Sequence, residues 1–342
     1  MSASDQAAPA IPARVRAYRW LVYAVCIAFL VWVLRGIQFR RAAQDWAEVS
    51  WRWVAAGILF DVLSYAVQGV RWKLLLTPFG RVRARASVRA VFAGLFANIF
   101  PLRPGELFRA YLVSKAEDIG FVTVLGSVLV ERLIDLVVTT ATLAAISLFV
   151  PLPARFRHIA DWLGIATLAA LGVFVALILY VEFRFEGDPR RMIGGKFVPG
   201  KLMSALVGLH AMGTSPSFYP AVFTSLLTPF FQFLALWAMM RSYGMGLPFL
   251  AVLVVVLVIN LGVSLPNAPA NVGSYQFFCV LGLSIFDVEK TTATGFSIFA
   301  FLMLTLPVLF LGFYAMLRSG LSIRSMREQV SRLPGEARAR RA

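Results

Sequence analysis

The stretch from Asn98 to Leu112, NIFPLRPGELFRAYL, interrupts a long apolar region with a break that consists of Pro101, Pro104 and Gly105. A proline inside a helix removes a backbone donor and clashes with the preceding turn, so the apolar halves on either side cannot form one continuous helix. The same stretch also carries charged residues among its apolar ones. It therefore predicts two helices that meet at a polar break.

The composition predicts a membrane protein with many spanning segments. Of the 342 residues, 59% are hydrophobic and 15% are charged, whereas a soluble domain has roughly 25% charged residues. The formal net charge of +16 comes from Lys and Arg in short segments between apolar runs. That distribution is typical of a topology signal, so we do not expect nucleic acid as a partner.

Apolar runs of about 20 residues cross a hydrocarbon core of about 30 Å. Such runs predict about six spanning helices, at roughly 18–35, 51–70, 121–149, 160–182, 217–241 and 292–317. Arginines precede the first run as in a signal peptide, but no small-residue cleavage site follows it, so we expect this helix to be retained.

Two further apolar regions, 86–113 and 248–287, each have a Pro-x-x-Pro break in the middle. The second break contains Pro266, Pro269 and Gly273. Two short helices around such a break form a re-entrant hairpin, which is tolerated at membrane depth only where its irregular backbone is enclosed by protein or lines a cavity. Both breaks are therefore candidate sites.

Lys and Arg are concentrated in the N-terminal segment, in 71–89, in 184–201 and after residue 317, which predicts that both termini are cytoplasmic. We expect a cytoplasmic segment 1–17, a single transmembrane domain 18–317 and a basic cytoplasmic tail 318–342. The first hairpin then enters from the cytoplasm and the second from the opposite side, which makes an inverted repeat. The arginines in 81–89 are expected to contact anionic lipids at the cytoplasmic face.

Polar residues near the breaks and within the helix 121–149 form the candidate substrate site. A charge in the bilayer centre costs about 2.5 kcal/mol or more, so such residues usually pair and face a cavity. Glu106 precedes Arg109 by three residues, which favours a pair on one helix face. The candidate substrate-binding residues are Asn98, Arg103, Glu106, Arg109, Glu131, Arg132, Asp135, Asn267, Asn271 and Gln276.

Other interpretations of these residues stay open. The charges of the first break also fit a solvated cytoplasmic loop, the charges of the helix 121–149 also fit a structural ion-pair clasp, and the asparagines of the second break also fit helix caps. The two cysteines and two histidines are isolated from one another in sequence, so we expect no metal, no cofactor and no disulfide.

Three motifs in this order resemble the lysylphosphatidylglycerol synthase transmembrane-domain family, also described as flippase-like membrane proteins. The likeness covers about residues 20–317. The motifs are Asn98-x-x-Pro101-x-Arg103-x-Gly105-Glu106-x-x-Arg109, Ser127-x-x-x-Glu131-Arg132-x-x-Asp135 and Leu265-Pro266-x-x-Pro269-x-x-x-Gly273.

The resemblance implies movement of a lipid with a polar head group across the membrane. The head group is an aminoacylated phosphatidylglycerol in some members, and polyprenyl-phosphate-linked sugars are suggested for others. Only a basic tail follows the membrane part here, so aminoacyl transfer is not expected. Ala270 stands where the resemblance implies a glycine and Gln276 where it implies an acid, which favours an anionic or neutral head group.

We expect a lipid flippase or scramblase of the cytoplasmic membrane, not an enzyme, in which Arg103, Arg109 and Arg132 hold the lipid phosphate and the acids hold the arginines. No Gly-rich phosphate loop is present, so ATP hydrolysis by that route is not expected. The alternatives are a membrane enzyme that transfers a glycosyl or phosphoryl group on a lipid carrier, and a non-transporting partner of a lipid-modifying complex. A homodimer or a lipid-synthesis enzyme is a possible protein partner under each of these functions.

Overall fold

The computed structural model describes residues 13–35, 38–100, 103–147, 211–264 and 268–319, with residues 162, 164–173, 175–176 and 179 between them. The predicted break residues Pro101 and Pro266, the candidate site residue Asn267 and part of the predicted helix 160–182 lie outside the described residues. Every regular element among the described residues is helical, as the sequence predicts.

The helices follow the predicted order. They are α1 Ala13–Leu34, α2 Phe39–Ala47, α3 Trp51–Leu76, α4 Ala84–Ala97, α5 Gly105–Ala116, α6 Phe121–Ser147, α7 Phe218–Ser242, α8 Phe249–Ser264, α9 Ser274–Ser284 and α10 Lys290–Ser319. A further short apolar helix covers Gly164–Val173.

Helices α3, α7 and α10 are long and apolar enough to cross a membrane. They contain 26, 25 and 30 residues, and a rise of about 1.5 Å per residue makes each about 38 Å or longer. Helix α6 is similar in length, with 27 residues, but carries Glu131, Arg132 and Asp135 near its middle. These four helices frame the shorter ones.

The short helices form two antiparallel pairs, each around one of the predicted breaks. Gly94, near the end of α4, lies against Gly105 at the start of α5, and Val255 of α8 lies against Gly282 of α9. The four helices contain 14, 12, 16 and 11 residues, fewer than the roughly 20 that a spanning helix needs. In each pair the two helices lie on either side of the predicted break.

Left-handed backbone conformations mark both breaks. Arg103 has φ +47° in the first, and Ala270, Asn271 and Gly273 have φ +55°, +61° and +86° in the second. Such a conformation ends a right-handed helix and is unfavourable for residues other than glycine. The prolines and these residues together explain why the helices stop where they do.

Helices α3–α6 form one unit and α7–α10 a second, and the two pack in opposite directions. Along α3 and α7, the N–H of Ser50 donates to the carbonyl of Ser242 at 3.0 Å and Phe60 stacks on Phe231, so these helices are antiparallel. Each packing contact within the first unit has a counterpart in the second: α3–α4 and α7–α8, α4–α5 and α8–α9, α5–α6 and α9–α10, α3–α6 and α7–α10. Between the units, α4 packs on α10 as α8 packs on α6.

Two features differ from the sequence predictions. Helix α2, which was not predicted, lies against α10, where Trp46 Nε1 donates to the carbonyl of Gly295 at 3.2 Å. Helix α3 does not end near residue 70 but continues to Leu76, because no proline follows until Pro78. The expectation that Arg71 belongs to a cytoplasmic loop is therefore wrong, since it lies inside a helix and is buried.

Candidate functional site

A buried cluster of ions joins α3, α5 and α6. Glu131 is 0% exposed and accepts hydrogen bonds from Arg71 at 2.8 Å, from Arg109 at 2.9 Å and from Gln68 at 2.7 Å. Arg71 also donates to Asp135 at 2.5 Å. Two guanidinium groups around one carboxylate compensate its charge where water is excluded.

Trp72 completes this cluster on the side of α3. The guanidinium of Arg109 lies 4.9 Å from the centre of the Trp72 ring, an arrangement that favours a cation. Trp72 Nε1 donates to the hydroxyl of Ser127 at 2.8 Å, and this hydroxyl in turn donates to the carbonyl of Val124. Arg109 is thus held by all three helices.

A second group of charges lies at the edge of this cluster. Arg132 pairs with Glu106 at 2.7 Å and with Asp135 at 3.3 Å, and the side chains of Arg132 and Glu106 are about half exposed, 48% and 47%. The i,i+3 pair expected between Glu106 and Arg109 is not formed, because each residue pairs instead with α6. Helix α6 therefore determines the pairing of the charges in the first hairpin.

The two breaks are in direct contact. The N–H of Ala270 in the second break donates to the carbonyl of Asn98 in the first at 3.3 Å. The Asn98 side chain accepts a hydrogen bond from the N–H of Gly105 at 3.0 Å, and Arg103 Nη1 donates to the carbonyl of Val263 at 3.5 Å. Residues far apart in sequence thus meet where both hairpins turn.

A cavity of about 220 Å³ lies beside this contact. It is bounded by both breaks and by α3, α4, α7, α8, α9 and α10, and apart from the polar residues named next its lining is apolar. The polar residues that line it are Asp61, Tyr65, Asn98, Arg103, Gln232, Asn260, Asn271, Tyr275 and Thr305.

The predicted site residues therefore separate into groups. Asn98, Arg103 and Asn271 line the cavity, whereas Arg109, Glu131 and Asp135 belong to the buried ion cluster and Glu106 and Arg132 to its edge. Gln276 is buried and accepts a hydrogen bond from the N–H of Gly273 at 2.8 Å, so it stabilises the second break.

Sequence reasoning missed Asp61, Gln68, Arg71 and Gln232. Asp61 is the single acid inside the apolar run 51–70. An acid in a membrane helix is a candidate site residue from sequence alone. Because Asp61 lines the cavity, the substitution of Gln276 for the expected acid does not remove carboxylate chemistry from this site.

Comparisons with known proteins agree on the family. A family profile described as the lysylphosphatidylglycerol synthase TM region matches residues 19–312. The UPF0104 membrane protein MJ1595 of Methanocaldococcus jannaschii is 22% identical over 313 residues, which cover 86% of this chain and 92% of that protein. A UPF0104 membrane protein of Methanothermobacter thermautotrophicus is 25% identical over 279 residues, 75% of this chain and 80% of that protein.

A shorter similarity links the chain to an enzyme. Glycosyltransferase AglD of Haloferax volcanii is 35% identical over 97 residues, 28% of this chain and 15% of that protein. No solved structure matches the chain. The match over residues 19–312 confirms the resemblance seen in the motifs: the chain belongs to the family of the lysylphosphatidylglycerol synthase TM region.

Proposed function

We propose that the chain moves a phosphate-containing lipid across the cytoplasmic membrane, with the head group passing between the two breaks while the acyl or prenyl chain stays in the lipid. The observation that carries this proposal is the contact between Asn98 and Ala270 beside a cavity that contains Arg103. Irregular backbone from two oppositely directed units meets there, which is typical of transporters with discontinuous helices.

The paired packing contacts support an inverted repeat in the membrane. Helices α4 and α5, like α8 and α9, are too short to cross and turn back at their breaks, so we assign them as re-entrant hairpins. Since α3 and α7 run antiparallel, the two hairpins enter from opposite sides, with the termini in the cytoplasm. If each unit then adopted the conformation of the other, an inward-open state would become an outward-open state.

Arg103 is the best candidate to bind the lipid phosphate. Within the described part of the chain, Arg71, Arg109 and Arg132 all form ion pairs with acids, whereas Arg103 forms none. A guanidinium binds phosphate through two parallel hydrogen bonds. We therefore assign phosphate binding to Arg103, and we assign Arg109 and Arg132 the role of holding the first hairpin against α6.

The test is movement of a labelled phospholipid in vesicles that contain the purified chain. An acyl-chain fluorophore that a membrane-impermeant reductant can quench reports the outer-leaflet fraction. We expect Arg103→Ala to slow exchange at least about tenfold, because a hydrogen bond to a charged group contributes about 1.5–3 kcal/mol. Arg52→Ala, which removes an exposed arginine from α3, is the control and should match the unmodified chain.

Exchange no faster than in protein-free vesicles would contradict the proposal. Equal rates for Arg103→Ala and Arg52→Ala would contradict the assignment of Arg103.

The similarity to a glycosyltransferase favours a second candidate function, glycosyl transfer on a lipid carrier in the membrane. Incubation of the purified chain with a radiolabelled polyprenyl-phosphate sugar and an acceptor lipid in detergent tests it. Formation of a new glycolipid would support the enzyme, and no product would contradict it.

A further inference from the structure

Two residues of the cavity carry hydrogen-bond acceptors that have no donor among the described residues. Asp61 is only 8% exposed, and within the described part of the chain no hydrogen bond or ion pair reaches its carboxylate. Asn271 Oδ1 is buried and likewise has no hydrogen-bond partner there. The two residues come from α3 and from the second break, so different elements converge on the same space.

A fully buried acceptor without a donor, such as Asn271 Oδ1, destabilises the folded protein, and natural proteins contain few of them. When such groups line a cavity, a ligand that supplies the missing donors removes this penalty. Arg103 lines the same cavity, donates to the carbonyl of Val263 at 3.5 Å and forms no ion pair with a described carboxylate. Its other guanidinium N–H groups can therefore donate to an anion in the cavity. The cavity thus combines a cation, Arg103, that can bind an anion with two acceptors, on Asp61 and Asn271, that can accept hydrogen bonds from a ligand.

We infer that the cavity selects lipids whose head group carries an N–H or O–H donor in addition to the phosphate, with Asp61 and Asn271 as the acceptors for that donor. This inference rests on the proposed function. Arg103 binds the phosphate while the donor group, an ammonium or a hydroxyl, reaches across to Asp61. A lipid that has only a phosphate leaves both acceptors unpaired and brings a second negative charge towards Asp61, so the site discriminates against it.

Four lipids with the same labelled acyl chain test this selectivity in the vesicle assay. Phosphatidylethanolamine supplies an ammonium donor and phosphatidylglycerol supplies hydroxyl donors. Phosphatidylcholine supplies a cation without any donor, and phosphatidic acid supplies the phosphate alone. We expect phosphatidylethanolamine or phosphatidylglycerol to move at least tenfold faster than the other two.

Three variants test the assigned acceptors. Asp61→Ala and Asn271→Ala should reduce this preference at least fivefold. Asp61→Asn keeps an acceptor oxygen but loses the charge, so it distinguishes the two donors: movement of an ammonium lipid should fall, and movement of a hydroxyl lipid should persist. The thermal midpoint of the two Asp61 variants should not fall, because the Asp61 side chain forms no hydrogen bond with a described residue. The midpoint of Asn271→Ala should fall, since Asn271 has φ +61°, a conformation that alanine adopts less readily than asparagine.

The outcomes separate this inference from the proposed function. If all four lipids move at one rate that depends on Arg103, or if Asp61→Ala slows all four equally, the selectivity is refuted while lipid movement stands. If none of the four moves faster than in protein-free vesicles, the proposed function fails and the inference with it.

Discussion

The guanidinium of Arg109 donates to the carboxylate of Glu131 at 2.9 Å, and both side chains are buried. Arg71 approaches the same carboxylate from α3, so one acid holds two cations on two other helices. Loss of one partner of a buried ion pair leaves an uncompensated charge, which destabilises far more than the pair itself stabilises. Glu131 is therefore the residue on which the packing of the first unit depends.

We predict that Glu131→Gln lowers the free energy of unfolding by about 3–5 kcal/mol, because Arg71 and Arg109 would remain buried without a counterion. Chemical or thermal unfolding of the purified chain in one detergent measures this. Glu106→Gln is the matched control, since Glu106 also pairs with an arginine but is 47% exposed. Glu106→Gln should lower the free energy of unfolding by no more than about 1 kcal/mol. Equal decreases of this free energy in both variants would contradict a buried ion cluster.

Close packing at the first break gives a second prediction. A Cβ on Gly105 would overlap the carbonyl oxygen of Gly94 and lie 2.5 Å from Asn98 Oδ1. We expect Gly105→Ala to separate α4 from α5, to lower the unfolding midpoint and to abolish lipid movement. Gly126→Ala on α6 is the control, because a Cβ there meets no described residue within 4 Å. Alanine in place of glycine inside a helix should raise the free energy of unfolding by about 0.5–1 kcal/mol. Similar behaviour of the two variants would show that α4 and α5 are not packed this closely.

The positions of the breaks could be predicted because proline acts locally. Pro104 and Pro269 lie inside apolar runs, and a proline cannot continue a helix. The sequence therefore predicts the ends of α4, α5, α8 and α9 within a few residues. The end of α3 could not be placed in this way. Arg71 and Lys73 look like the start of a loop in sequence, and only the acids of α6 make Arg71 compatible with a buried helix.

The charged residues were recognisable, but their partners were not. Spacing along one helix suggests a pair between Glu106 and Arg109, whereas packing of α5 against α6 gives each of them a partner on another helix. Asp61 could not be assigned to the site, because its role depends on α3 lying beside both breaks. Pairing between helices is a property of the tertiary structure, which helical periodicity does not encode.

Ala270 offers a third prediction because its backbone is left-handed, with φ +55°. This conformation costs an L-residue about 1–2 kcal/mol, and a glycine there is what the family motif implies. We predict that Ala270→Gly raises the free energy of unfolding by about 0.5–1 kcal/mol, the strain relief being offset in part by the larger entropy of the unfolded chain. The unfolding midpoint measures it.

Ala251→Gly provides the comparison for this substitution. Ala251 is buried inside α8, where glycine should destabilise by about 1 kcal/mol. A loss of stability in Ala270→Gly as large as in Ala251→Gly would contradict the left-handed geometry of the second break.

The contact between the two breaks gives the last prediction. The N–H of Ala270 donates to the carbonyl of Asn98 at 3.3 Å, so the two residues are close enough to test with a disulfide, which joins Cα atoms about 4.4–6.8 Å apart. If the head group passes between the breaks, they must separate in each transport cycle. We therefore expect Asn98→Cys with Ala270→Cys, in a chain that also carries Cys26→Ser and Cys279→Ala, to stop lipid movement when oxidised and to recover it when reduced.

A crosslink beside the second break provides the control for this experiment. Cys26 of α1 lies 3.5 Å from the hydroxyl of Ser274, so Ser274→Cys with Cys279→Ala can join α1 to α9 without joining the two breaks. Since α1 packs on the second hairpin, we expect this disulfide to leave lipid movement within about twofold of the reduced protein. Transport that persists with the breaks crosslinked would exclude a path between them, whereas arrest by both crosslinks would mean that the second hairpin moves against α1.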